Sequence, residues 1–242
     1  MKVAGARSRA RASPFLGART VDLRLREGLH WCFCGSRVIF LDLEEDRYFC
    51  LSTRAEAAFR RAVAQTADQE DHRLLQSVLA SRAAIDVRAV AETPLLAKLP
   101  PPSRDFLADA AAAPAIPHVL EALAAQTLAA WQLRRSGLGA LMRRVRARAR
   151  GACPEARGRA APLQAICASY ARAALVIPAA DHCLVRAVAL HAACCRVGIA
   201  PHLVFGVQID PFRAHAWVQL EDKVLVGDFE QVRLFTPIAL VG

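Results

Sequence analysis

Three cysteines and two histidines crowd into "DHCLVRAVALHAACC", the fifteen residues from Asp181 to Cys195. Such a set can ligate a metal, form a disulfide, fill a helix core or carry a nucleophile. Pro178 before it and Gly198 after it bound a helix from about Asp181 to Val197. On one helix Cys183 and Cys194 share a face but lie about 16 Å apart, at ~1.5 Å rise per residue. That excludes one metal ion holding both, and it exceeds the ~7 Å Cα separation that a disulfide tolerates. Cys194 and Cys195 point about 100° apart. His191 and Cys195 form an i, i+4 pair that could give two ligands, but no second pair completes a tetrahedral site. Neither a metal nor another cofactor is expected. Cys194 continues the apolar stripe of Ala187 and Leu190 and reads as a small buried hydrophobe. His191 is expected on the helix surface or in a capping contact.

Cys183 stands apart because it falls in the first helical turn, beside Asp181 as a candidate N-cap. Free backbone N–H groups and the positive end of the helix dipole favour a sulfur anion there and can hold an oxyanion. A nucleophile also needs a base and a group that orients the base. "HAWVQL" supplies a strand with His215, Trp217 and Gln219 on one face. "KVLVGDF" supplies the next strand. A two-residue turn at Glu221-Asp222 pairs Leu220 with Lys223 and sets His215 opposite Asp228. Glu-Asp is not a favoured turn, and a slip of one residue would put Asp228 on the other face. Taken singly, His215 also fits a strand histidine and Asp228 a loop acid.

These residues need two sets of elements to position them. From Leu29 to Leu51 the pattern is β: "LHWCFC", "RVIFLDL" and "RYFCL", turning at Gly35-Ser36 and at Glu44 to Asp46. Val38, Phe40 and Asp42 alternate with Ile39, Leu41 and Leu43. Ser52 or Thr53 offers an N-cap, with Glu56 closing a capping box on Thr53, and a helix follows to about Ala64. A second helix spans Asp71 to Arg82, with Leu74, Leu75, Val78 and Leu79 on one face. "KLPPPS" marks a boundary. Beyond it Leu120, Leu123, Leu128 and Trp131 keep helical spacing, "SGLG" from Ser136 to Gly139 interrupts it, and Leu141, Met142 and Val145 resume it. A further helix runs from Leu163 to Val176. After the cysteine helix come the strands "HLVFGVQI", "HAWVQL" and "KVLVGDF". Helices followed by an antiparallel sheet give an α+β fold.

The 242 residues are 55% hydrophobic and can bury a large core. The best apolar run, "AIPHVLEALAAQTLAAW", is broken by Pro117, His118 and Glu121, so no membrane span is expected. Lys and Arg number 32 against 22 Asp and Glu, a formal charge of +10. A basic surplus invites nucleic acid, but no zinc-finger spacing, RNP-like aromatic motif or recognition helix accompanies it. The arginine-rich "RRVRARARGACPEARGR" reads as a solvated face and loop. The N-terminus "MKVAGARSRARASPFLGAR" lacks an apolar segment and reads as a disordered basic arm over residues 1–20, not a secretory signal. Eight cysteines without a CxxC pair fit reduced thiols in a cytoplasmic protein. No phosphate-binding glycine loop is present.

A helix-start cysteine, a strand histidine and an acid on the adjacent strand follow the order of papain and transglutaminase-like folds. "CLVRAVAL", "GIAPHLVFGV" and "FRAHAWVQL" with its following "GD" resemble the transglutaminase-like leader peptidases of lasso-peptide biosynthesis, over roughly residues 115–242. "VIFLDLEEDRYFCLS" resembles the PqqD-like, winged-helix precursor-recognition module of the same pathway, over roughly residues 20–88. That module has three helices after its sheet, whereas here there is room for two. The resemblance implies a recognition domain at residues 21–98, a linker at 99–114 and a papain/transglutaminase-like cysteine peptidase domain at 115–242. It implies Cys183 as nucleophile, His215 as general base and acid, and Asp228 as the group orienting His215. Tyr48, Phe49, Leu51 and Trp217 are the implied substrate contacts, with the leader adding as a strand beside "RYFCL". Ile177 stands where papain carries its oxyanion glutamine, so the Cys183 backbone N–H is the expected donor. The implied partners are a precursor peptide and an asparagine-synthetase-like cyclase that uses ATP. An acyltransferase or transglutaminase with the same triad, and a non-catalytic peptide-binding scaffold, are the alternatives.

Overall fold

The computed structural model describes residues 24–25, 28–80, 85–86, 99–107, 114–152, 160–176 and 182–242. The expected basic arm, Asp181, Ile177 and much of the arginine-rich loop lie outside them. The strand β1 (Arg24–Leu25) precedes an antiparallel meander of β2 (Leu29–Cys34), β3 (Arg37–Asp42) and β4 (Arg47–Cys50). Helices α1 (Thr53–Val63) and α2 (Gln69–Ala80) follow, then β5 (Ile85–Asp86), which pairs antiparallel with β1. After β6 (Arg104–Asp105) come α3 (Ile116–Gly151), α4 (Ala160–Ala173) and α5 (Cys183–Arg196). The chain ends with β7 (His202–Gln208), β8 (Arg213–Leu220), β9 (Lys223–Val226), α6 (Phe229–Val232) and β10 (Thr236–Val241). The fold is α+β, and among the described residues no helix is long and apolar enough to cross a membrane.

The central strand β3 is buried on both faces, which explains the apolar run from Val38 to Leu41. Leu29, Trp31, Val38 and Phe40 pack on Ala55, Ala58 and Phe59 of α1 and on Leu75 and Leu79 of α2. Cys32, Cys34, Ile39 and Leu41 face the other way, into the core of the C-terminal half. Ser52 caps α1 by accepting from the Ala55 N–H. Glu56 closes no capping box. One position too far along the helix, it reaches back to the sheet and accepts from the Val38 N–H at 3.1 Å, from Arg37 at 2.9 Å and from Arg60. This pins α1 across β3. At the seam the carboxylate of Glu44 takes both bonds from Arg143, and Gly139 of α3 is the residue that leaves room for that carboxylate.

The C-terminal sheet runs β10-β7-β8-β9-β6. Helix α3 bends at Gly137 (φ 74°, ψ 171°), inside the expected interruption. Within the expected linker at 99–114, Arg104–Asp105 join this sheet as β6. β6 pairs parallel with β9, and the Ser103 N–H donates to Asp222. β10 is an edge strand missing from the sequence reading. It carries Pro237 and a bulge before Ala239, and it pairs with β7.

Candidate active site

Helix α5 is buried along most of its length. Val185 to His191, Ala193 and Cys194 are all buried, so the element that carries Cys183 is fixed by its own apolar packing. His191 is 0% exposed, bonded to the Pro201 backbone and 3.6 Å from the Cys195 sulfur. The expected surface histidine is a core residue. Burial, with a smaller contribution from Arg148, holds it down at about 4, so it is neutral at physiological pH. Among the described residues no group of His, Cys, Asp and Glu could hold a metal ion, and all seven described cysteines are free.

Cys183 is the first residue of α5, with His182 in the N-cap position, and it is half-exposed. It opens into a cavity of about 450 Å³ whose wall also contains His215, Asp228, Arg186, Asp105 and Gln231. The three expected catalytic side chains therefore meet in one cavity. Leu190, Ala216 and Leu225 supply part of its apolar wall.

The register around β8 and β9 decides what Asp228 does. The Glu221-Asp222 turn forms as expected, with Leu220 opposite Lys223 and Gln219 opposite Val224. Glu221 adopts φ 54°, a conformation side chains resist. Gln219 compensates. It is fully buried, and its amide donates to both Glu221 and Pro100 carbonyls at 2.7 Å. Ser103 also binds the Asp222 side chain. Then a bulge puts Val218 opposite Val226 rather than Leu225, and β9 stops. Asp228 consequently caps α6, accepting from the Glu230 N–H at 2.9 Å. Asp105 of β6 accepts from the Phe229 N–H beside it. Burial raises the Asp105 carboxyl, and the charges of Asp228 and Glu230 add to that. Among the described residues no hydrogen bond joins Asp228 to His215, or His215 to Cys183.

The imidazole of His215 is held by rings. Phe235 lies 5.2 Å away and Trp217 6.2 Å, the latter stacked with its plane within 18° of parallel. Burial lowers the His215 pKa, and the charges of Arg213 and Arg186 lower it further. At neutral pH it is therefore the unprotonated ring that faces the cavity, the form that can accept a proton. Arg186 is 8% exposed, one helical turn along from Cys183; burial lowers its pKa, and the charge of Cys183 opposes that. Sequence reasoning missed Arg186, Asp105, Gln231 and Phe235. Arg186 alone left a signal, as a charged residue inside an apolar helix stretch.

The expected substrate contacts divide. Tyr48 and Phe49 are neighbours on β4 and point to opposite faces. Phe49 stacks on Phe40 at 5.1 Å, on the side of α1 and α2. Tyr48 packs against the core of the C-terminal half and touches Phe212 edge to face at 5.5 Å. Leu51 (4% exposed) and Trp217 (1%) are core side chains rather than surface contacts. Trp217 donates its indole N–H to Gln219, and its ring lies beside His215.

The family model of the transglutaminase-like superfamily matches residues 123–240, the span from within α3 into β10. The C-terminal half is thus a transglutaminase-like domain, a class consistent with cysteine peptidases and acyltransferases. The chain matches no curated protein and no solved structure.

Proposed function

We propose that this chain is a cytoplasmic cysteine peptidase that binds the leader of a ribosomally made lasso-peptide precursor and removes it. The observation that carries the catalytic part is the shared cavity: a thiol at the start of a buried helix and a neutral, ring-clamped imidazole open into one space. The motifs "CLVRAVAL", "FRAHAWVQL" and "GD" support the leader-peptidase assignment. The meander supports the recognition role, as a PqqD-like winged-helix module. Among the described residues β4 pairs only with β3, so its outer edge is available to an added peptide strand, with Phe49 towards the helices. Holding the leader there raises the local concentration of the cleavage site.

In the reaction His215 takes the Cys183 thiol proton, directly or through one water, as the peptide closes the open site. The sulfur attacks the scissile carbonyl, and the Cys183 backbone N–H stabilises the oxyanion. The C–N bond breaks as His215 returns the proton to the leaving amine, which is the new N-terminus of the core. Water, deprotonated by His215, then hydrolyses the thioester and restores the thiol. Trp217 and Phe235 orient the imidazole, and the Asp228 carboxylate stabilises its cationic form across the cavity. The freed amine is the nucleophile that an asparagine-synthetase-like partner joins to an acidic side chain.

The test is to incubate the chain with a precursor peptide encoded beside it and weigh the products. Separate leader and core masses are expected. A cross-linked or acylated product would instead establish acyl transfer by the same thioester. Leader binding without any mass change would leave a peptide-binding scaffold.

A further inference from the structure

We propose that Tyr48 and Phe212 form a subsite for an apolar peptide side chain, on the leader side of the scissile bond and within about three residues of it. The inference rests on the peptidase reading above and adds a specificity element at the seam between the two halves of the chain.

Four observations carry it. In the meander Tyr48 lies opposite Leu41, whose side chain faces the C-terminal core, so the strand expected to receive the leader turns this ring towards the nucleophile's half. Its edge-to-face partner Phe212 sits in the turn between β7 and β8, and 53% of Phe212 remains exposed. The aromatic pair therefore has an open apolar flank. Phe212 immediately precedes β8 and stands three residues before His215, at most about 10 Å at ~3.3 Å per residue, and an extended peptide covers the same span with about three residues. Finally, Tyr48 and Cys183 lie within electrostatic reach of each other, since the charge of Cys183 adds to the burial that raises the Tyr48 phenol.

Direction follows from the docking strand. A leader paired with β4 is already beside Tyr48, and the chain leaving that edge must pass the two rings to bring its scissile carbonyl to Cys183. An apolar side chain covering the open flank of Phe212 would be buried there, whereas a carboxylate would lose solvation without gaining a partner. Docking and cleavage would then be read at one continuous surface rather than at two independent sites.

The test uses the full chain and tetrapeptidyl acyloxymethyl ketones, which alkylate a nucleophilic cysteine. The compounds differ at one of the three residues before the warhead, carrying Leu or Asp. Intact mass and peptide mapping give the rate of Cys183 modification. At one of the three positions the Leu compound should react roughly tenfold faster or more. That ratio should fall below about threefold in Phe212→Ala and in Tyr48→Ala, and Tyr48→Phe should retain it because the ring remains. The ratio cancels any general loss of reactivity, and Phe212 is too exposed for its truncation to unfold the chain. An undiminished ratio in both alanine variants, or modification of wild-type Cys183 at equal rates, would overturn the subsite while leaving the nucleophile intact. No modification of wild-type Cys183 by any compound would remove the peptidase reading and the subsite with it.

Discussion

Gly206 lies directly opposite His215 in the β7–β8 pair, and adding one methyl there tests whether ring packing sets the imidazole. A Cβ at this position would stand 2.6 Å from Cζ3 and 2.8 Å from Cη2 of Trp217, and 2.9 Å from Cβ of Phe235. Carbon contacts are comfortable from about 3.5 Å, so Gly206→Ala must drive the Trp217 ring back by roughly 1 Å. The ring is 1% exposed and tied to Gln219 by its indole N–H, which leaves it no free direction. Overpacking of this kind costs about 1–3 kcal/mol, or roughly 2–12 °C in Tm for a chain of this size. His215 should follow its two ring neighbours, and a displacement near 1 Å lowers turnover by about 10- to 100-fold. The assays are thermal unfolding and the rate of peptide cleavage. Trp217→Phe removes the two clashing carbons, so Gly206→Ala/Trp217→Phe should be less destabilised than the sum of its single variants by about 1 kcal/mol. Wild-type Tm and turnover in Gly206→Ala, or strict additivity in the cycle, would refute the reasoning.

Burial, with help from Arg146 and Arg148 respectively, holds His30 and His191 down at about 4, while in the unfolded chain they take up protons near pH 6.5. Stability is therefore full above pH 6.5 and falls towards pH 4, by about 2 kcal/mol per histidine at pH 5, and urea unfolding of His191→Gln should show a flatter pH profile. Burial pushes the Glu56 carboxyl up, but hydrogen bonds from Arg60, Arg37 and the Val38 N–H outweigh it and hold it below the usual carboxylate range. Its contribution persists above the ordinary carboxylate pKa and is lost as pH falls through the depressed value, and Glu56→Ala should cost about 2–3 kcal/mol by denaturant titration. His215 is lowered by burial, Arg213 and Arg186, so the acid limb of the cleavage rate should have its midpoint below pH 6.5; a midpoint above it would contradict the assigned environment.

Much of the fold is legible because its periodicities are local. The meander, α1, α2, the bend at Gly137, α5 and the strands β7 to β9 follow from apolar spacing and from Gly and Pro punctuation. Cys183 and His215 could be paired from sequence because each lies on a long, well-specified element. What failed to show depends on irregularity or on distance. The bulge at Leu225 lies in "KVLV", where every residue from Val224 on is apolar and no alternation marks a skipped position, so the even register that sets Asp228 opposite His215 breaks and Asp228 caps α6 instead. β10 was hidden by Pro237, which argues against a central strand and is tolerated because β10 lies at the sheet edge. The integration of residues 99–107 depends on Gln219 and Asp222, more than a hundred residues away. The opposite facing of Tyr48 and Phe49 was implicit in strand geometry, but only the packed seam reveals that the second face of the meander has a partner.

The most direct test of the central claim is cleavage by Cys183→Ala, measured beside its affinity for the leader. The precursor should remain intact by mass while the leader binds with wild-type affinity, because the substitution removes one sulfur at the cavity and leaves β4 untouched. A variant that still separates leader from core would contradict the account.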